Sequence, residues 1–370
     1  MILDVEIRHL LNFEQVEVFE GVLVSSVILV LKNKQPSIAN KFAYSKFYKL
    51  KNKDFIKEFT NNIKQPKLYN QSVLDSNEWS FADDLSLSIK AKIESLAIPI
   101  IDIEGVSIYR GVTTGFNPAF IIDGQKKSEL IQKDEKNKNL IKPLLQGRNI
   151  RKWHYNKSDE NLLFIPWHFP LNDDTSITGN SSDAEQGLKT EYPVLFRHLS
   201  HYREELSNRN QEETGIRYEW YVLQRCAASY HKEFEKDEKI IWGLTADKWA
   251  FAYDDQKHYL PSNGYILTSE SVPIKLLLAL LNSKLLNYYF GFIGIMTAGG
   301  AFTLKHSTIQ KMPIIVSNSP QQIIAIVDEI LLKKKASISA DIRDLEWDLN
   351  KLIYQLYSLS DDEISIIENS

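Results

Sequence analysis

Phe13 to Phe19 alternates apolar with polar side chains, as a half-buried strand does. Val22 to Leu31 is a nearly continuous branched run of the kind that fills a buried central strand. Gly21 lies at their junction, so the two predict a hairpin. Two strands are too few to be stable alone. They imply either the tail of a larger sheet or pairing with strands further along. A short helical pattern from Asp54 to Ile63 then meets Pro66, Asn70 and Ser76, and a second helix is predicted from Ser80 to Ile93. Strand-like runs follow at 99–108, 162–166, 240–242, 249–253 and 264–268, separated by Asn, Asp, Gly and Pro. Asn172 to Gly187 is a polar loop, and Tyr192 to Glu205 a helix with Leu195, Leu199 and Tyr202 at core spacing. After Ser271 the period becomes helical. Pro273 to Phe290 predicts one helix, followed by a glycine-containing segment from Gly291 to Phe302. Two long amphipathic helices come next, 320–335 and 338–356, with Ile324, Val327 and Leu331, then Leu345, Leu349 and Leu352, as apolar faces. An acidic tail closes the chain. The sum is an α+β protein with a β-rich middle and a helical end.

Length and charge sharpen this. At 370 residues the chain has room for two to three domains. Its net charge of −4 excludes a uniformly basic nucleic-acid binder, but the charge is unevenly placed. Lys136 to Lys157 holds seven Lys or Arg and no Asp or Glu, and Ser271 to Val327 holds four cations and no acid. Cys226 is the single cysteine, which rules out an intrachain disulfide or a Cys-based zinc site and points to a reducing, cytoplasmic setting. The early apolar run is too short to span a bilayer, so no membrane association is expected.

The basic stretch belongs to a larger organising segment. Tyr109-Arg110-Gly111-Val112-Thr113-Thr114-Gly115-Phe116-Asn117 follows a strand-like run and sets two glycines around small hydroxyl residues, a loop able to approach another backbone or a phosphate closely. Leu144 to Trp153 then brings fork-shaped guanidiniums beside an aromatic. A close-approach loop followed by an acid-free basic stretch has what a nucleic-acid surface needs.

Several motifs in order resemble one family. They are Gly111 to Phe120, Leu144 to Trp153, Trp220-Tyr221-Val222-Leu223-Gln224, Lys239-Ile240-Ile241-Trp242, Leu280-Leu281-Asn282-Ser283-Lys284, Gly299-Gly300, Met312-Pro313-Ile314 and Leu356 to Ile364. Together they resemble the TaqI-like C-terminal specificity region of adenine-specific DNA methyltransferases, including the fused type IIG restriction–modification enzymes, over about residues 95 to 368. The resemblance implies an α+β architecture in four parts: terminal strands of a truncated α/β methyltransferase sheet at 1–50, a connector at 51–95, a DNA target-recognition domain at 96–318, and a C-terminal helical segment at 319–370. It implies duplex DNA as partner, alone or with a separately encoded catalytic chain. In that family S-adenosylmethionine binds the catalytic half, so no cofactor is expected in this chain. No glycine-rich cofactor loop and no Asn-Pro-Pro-Tyr precedes the specificity region. Asn117-Pro118-Ala119-Phe120 falls one proline short of the adenine-holding tetrapeptide. No catalytic residue is assigned, and no activity is expected of the chain alone.

The residues expected on DNA are Arg110, Thr113, Thr114 and Asn117 in the first loop; Lys142, Arg148, Asn149, Arg151 and Lys152 in the second; and Lys305 and His306 beyond Gly299-Gly300. Arginine forks suit guanine O6 and N7, and lysines suit phosphate. Against this stands a bland reading: a solvated turn for the second loop, a glycine turn for the first, and a packed Phe302 for the third. Trp153, Trp220, Tyr221 and Trp242 are expected in the core. His198 and His201 lack further ligands at convincing spacing for a metal. The C-terminal helices are either a spacer arm for another chain or a cover over the β-rich core.

Overall fold

The structure, a computed structural model, describes residues 4–16, 18, 26–48, 55–74, 84–296 and 301–369. Strands β1 (Glu6–Gln15), β2 (Val27–Lys32), β3 (Lys41–Tyr48) and β4 (Lys67–Asn70) form one sheet in the order β2-β1-β3-β4. β1 runs antiparallel to β2 and parallel to β3. Helix α1 (Phe55–Lys64) lies on β3, where Phe59 stacks on Phe47 and Phe47 on Phe13. The buried Gln71 amide locks the sheet: its oxygen accepts from the Ile7 and Asn40 nitrogens and its nitrogen donates to the Val5 carbonyl.

This unit corrects two expectations. The segment expected to connect, 51–95, contributes α1 and β4 to the sheet. The run expected as a buried central strand forms β2, an edge strand among the described residues, and its side chains are exposed, Val27 by 55% and Ile28 by 49%. A branched run fits either a buried strand or an unpartnered edge, and composition cannot separate the two. Gly21, and with it the turn, lies outside the described residues.

Helix α2 (Asp84–Leu96) leads into β5 (Ile98–Pro99), a 3₁₀ turn at Ile100–Asp102 and β6 (Val106–Arg110). The expected single strand at 99–108 is thus two pieces, each pairing with a different sheet. Next come α3 (Asn117–Phe120), β7 (Ile121–Ile122), α4 (Gly124–Lys133), β8 (Ile141–Pro143) and β9 (Asn161–Leu163), whose strands make a small sheet ordered β7-β9-β8. Helices α5 (Ser182–Glu191), α6 (Pro193–Ser200) and α7 (Arg203–Asn208) share its core. The helix expected over 192–205 breaks at His201–Tyr202, and Ser181 caps α5 inside the expected polar loop.

β10 (Lys239–Gly243), β11 (Thr245–Ala246), β12 (Ala252–Asp254) and β13 (Gly264–Ser269) follow. β10, β12 and β13 build the central antiparallel sheet with β6, in the order β12-β10-β13-β6. α8 (Ile274–Leu281) and α9 (Lys284–Ile293) meet at a 65° bend in place of the single expected helix. β14 (Ile295–Met296) and β15 (Phe302–Thr303) join β11 in a ribbon. After α10 (His306–Ile309), β16 (Pro313–Ile314) pairs with β5. α11 (Gln321–Ala336), α12 (Arg343–Leu356) and α13 (Asp361–Glu368) finish the chain.

The central sheet explains its own sequence. Ile240 and Trp242 of β10 enter one core, with α2, α8, α9 and the last three helices; Ile241 enters a second core, with α4–α7 and the small sheet. Covered on both faces, the strand is apolar from Ile240 to Trp242. The C-terminal helices are therefore a cover: Val327, Ile330, Ile353 and Tyr357 are buried in the first core, and Ser360 caps α13 where a bare acidic tail was expected. No single described helix is long and apolar enough to cross a membrane.

Candidate nucleic-acid interface

β6 and β10 both run out at the same end of the central sheet, where β13 begins. Main-chain bonds gather the expected loops there. Gly111 N–H donates to Gly264 O and Val112 N–H to Leu260 O, each at 2.9 Å. A Cβ on Gly111 would stand 2.1 Å from the Pro261 carbonyl oxygen, so only glycine allows this approach. Thr113 and Arg225 exchange both backbone hydrogen bonds. The second loop arrives through Gly147, where a Cβ would lie 3.2 Å from the Gly243 Cα at the end of β10. Further along the same loop, Trp153 N–H donates to Phe251 O at 2.9 Å, just before β12. The third segment is tied by Leu304 N–H to Leu244 O at 2.7 Å, and Leu244 N–H in turn reaches Asn263 O.

On this frame the expected residues divide. Arg110 is exposed, its Nε donating to Ser262 O. Arg151 is exposed, and its guanidinium donates to the Arg148 and Ile150 carbonyls. Lys305 is exposed. None of these three cations meets a carboxylate among the described residues. Arg148 projects with 74% of its side chain exposed but pairs with Glu160 at 3.0 Å. Lys152 pairs with Glu346 at 2.6 Å. Lys142 departs from the expected cluster: Glu235, on the turn preceding β10, holds its ammonium at 2.7 Å near the opposite end of that strand. Exposed pairs of this kind are worth little, and a phosphate can exchange with the carboxylate.

The uncharged residues are fixed more firmly. Thr114 is buried and its hydroxyl donates to Asn117 Oδ1 at 2.6 Å, while Thr113 is half-buried and Asn117 exposed. Asn149 Oδ1 accepts from Gln146 N–H, which closes its own 3₁₀ turn. His306 is half-buried, and burial lowers its pKa, so it is neutral at pH 7. Phe120 is buried beneath the Arg209 guanidinium and is not open for stacking on a base. His198 is buried with Nε2 against the Ala119 carbonyl, and no group of three metal-binding side chains occurs among the described residues. Trp153, Trp220, Tyr221 and Trp242 are buried. Gly299 and Gly300 lie outside the described residues.

Two cations escaped the sequence reading. Lys248 is exposed at this sheet end without a carboxylate partner among the described residues, and Asp247 beside it hides it from a search for acid-free stretches. Arg225 is 67% exposed, paired loosely with Glu213 at 3.9 Å, and lies in a segment of mixed charge.

Comparison with known proteins shows what this chain is similar to. Residues 142–314 match the model of the TaqI-like C-terminal specificity domain. The type II methyltransferase M.MjaIV of Methanocaldococcus jannaschii is 26% identical over 251 residues, covering 66% of this chain and 76% of that protein. In fold, the chain is similar over 98% of its length to the type IIL restriction-modification enzyme MmeI, solved in complex with DNA, with a TM-score of 0.59 at 12% identity. The type IIG restriction endonuclease BpuSI gives a TM-score of 0.40 at 12% identity. The chain spans 44% of each of these two enzymes.

Proposed function

We propose that this sheet end is the DNA-facing surface of a target-recognition module, and that the chain supplies sequence specificity to an adenine-N6 DNA methyltransferase of a restriction–modification system. One observation carries the reading: segments far apart in sequence, 110–117, 147–153 and 302–306, are each fastened by main-chain bonds to the same end of the central sheet, where Arg110, Arg151, Lys248 and Lys305 are exposed. The specificity-domain match and the methyltransferase relative support it. Phosphate contacts from the lysines fix position, and Arg148 and Arg151 read base edges. Methyl transfer from S-adenosylmethionine belongs, in this reading, to a methyltransferase unit for which β1–β4 is a terminal portion.

A specificity subunit working with a separately encoded catalytic chain has one observation in its favour. β2 exposes Val27, Ile28, Val30 and Leu31, which another strand and its covering helices would bury. Mixing the chain with a candidate catalytic chain, duplex DNA and labelled methyl donor tests that arrangement; label in DNA only when both chains are present is the expected result.

The direct test is duplex binding across a salt series. Affinity falls with salt at a log–log slope of about −0.9 per neutralised phosphate. Arg148→Ala costs roughly 1–3 kcal/mol and relaxes preference at one base position if Arg148 reads a base. A salt-independent affinity, or no binding to any duplex, overturns the reading.

A further inference from the structure

Beside the pinned loops a cleft of about 330 Å³ opens between the 151–153 loop, the 247–249 turn, the α8–α9 junction and Phe302. Three lysines are among the residues that line it, Lys152, Lys248 and Lys284. Their present partners are instructive. Lys152 is held by Glu346 of α12 at 2.6 Å, and Lys284 by Glu368 of α13. Among the described residues Lys248 has no partner, and the half-buried Asn287 amide on the same wall makes no side-chain hydrogen bond. Asp247 is the one acid in the lining, and it engages none of these lysines. Three cations converging on one concavity, with one ammonium and one amide uncommitted, form a receptor for an anion with several acceptor oxygens.

Resting on the DNA-facing reading of the adjoining surface, we propose that this cleft takes a backbone phosphodiester of the bound duplex, with Lys248 as its primary counter-charge and the C-terminal carboxylates Glu346 and Glu368 as competitors for Lys152 and Lys284. The phosphate enters beside Lys248 and Asn287 and draws the other two ammonium groups from their carboxylates. α12 and α13 thus set the affinity for DNA, although neither helix belongs to the loops that meet it. Lys248 and the α12–α13 carboxylates lie outside every residue singled out by the sequence.

Fluorescence anisotropy with the full chain and a labelled random-sequence duplex, repeated over a salt series, tests this. Lys248→Gln is expected to weaken binding and to make the log–log salt slope shallower by about 0.9, one phosphate contact. Glu368→Gln is expected to strengthen binding; its thermal midpoint, measured in parallel, reports any loss from the Tyr354 hydroxyl that Glu368 also accepts. An unchanged slope in Lys248→Gln, while Arg151→Ala still weakens binding, overturns the cleft and leaves the DNA-facing surface standing. If the unaltered chain binds no duplex, the underlying reading itself falls. Inorganic phosphate titrated at constant ionic strength separates the sources. Saturable protection of the unaltered chain against thermal unfolding, absent in Lys248→Gln, would make the cleft a small-anion site and overturn the assignment to DNA.

Discussion

Arg209 is a buried cation whose guanidinium, among the described residues, donates hydrogen bonds to main-chain carbonyls alone. Its guanidinium donates to Leu206 O at 3.1 Å, to Trp220 O at 3.0 Å, and to the carbonyls of Thr114 and Val222. Burial pushes its pKa down to about 10, so it keeps its charge at neutral pH. The fork thereby staples the 113–117 loop to the 220–222 segment. Arg209→Met is expected to lower unfolding free energy by about 3 kcal/mol, read from a urea midpoint. Arg209→Lys does not restore it, because one ammonium cannot span four carbonyls. A second buried charge lies at Asp254, which accepts from Lys239 at 2.6 Å and His258 at 2.7 Å. Burial works to raise its pKa, but the His258 hydrogen bond and the Lys239 charge outweigh this and hold it at about 2. With the folded value below the ordinary 3.8, its contribution is complete above that value and is lost as pH falls toward 2. Asp254→Asn strands the Lys239 ammonium and is expected to cost about 3–5 kcal/mol in denaturant titration at pH 7. Neither role was legible in the sequence. The partners come from distant segments, and Asp254 reads like its solvated neighbour Asp255.

At the scale of elements, legibility followed how far local signals decide the outcome. Ile240 to Trp242 reads as a short strand, and β10 is one, buried on both faces. The 273–290 run reads as one helix because Leu276, Leu277, Leu280 and Leu281 hold helical phase up to the break. The bend is made by two side chains instead. Asn282 pairs with both backbone groups of Phe251, at 3.1 and 2.9 Å, and Ser283 Oγ accepts from Leu286 N–H to begin α9. Ser283→Ala is expected to cost about 1 kcal/mol as a lost cap. Asn282→Ala leaves the Phe251 N–H buried and unpaired, while Phe251 O keeps its bond from Trp153 N–H, for about 1–3 kcal/mol. Denaturant midpoints of the two variants check the order. The exposure of β2 was unreadable for a related reason: what covers a strand is not written in the strand.

For the whole molecule, the boundary expected at 318/319 does not divide the packing. A chain ending at residue 318 loses Val327, Ile330, Ile353 and Tyr357 from the first core, and is expected to bind a hydrophobic dye and unfold without a sharp transition. Charge distribution is the other molecular property. The sequence located the acid-free stretches correctly, but counting along the chain could not show that folding sets Glu235, Glu160 and Glu346 against Lys142, Arg148 and Lys152.

The loops at the sheet end are held to it through amides and carbonyls, with glycine at two of the contacts. A mount fastened by backbone atoms does not depend on the identity of what it carries. Side chains at positions such as 148, 151 and 305 are therefore free to be exchanged without loosening it, so a lineage can change what it reads while keeping the instrument intact.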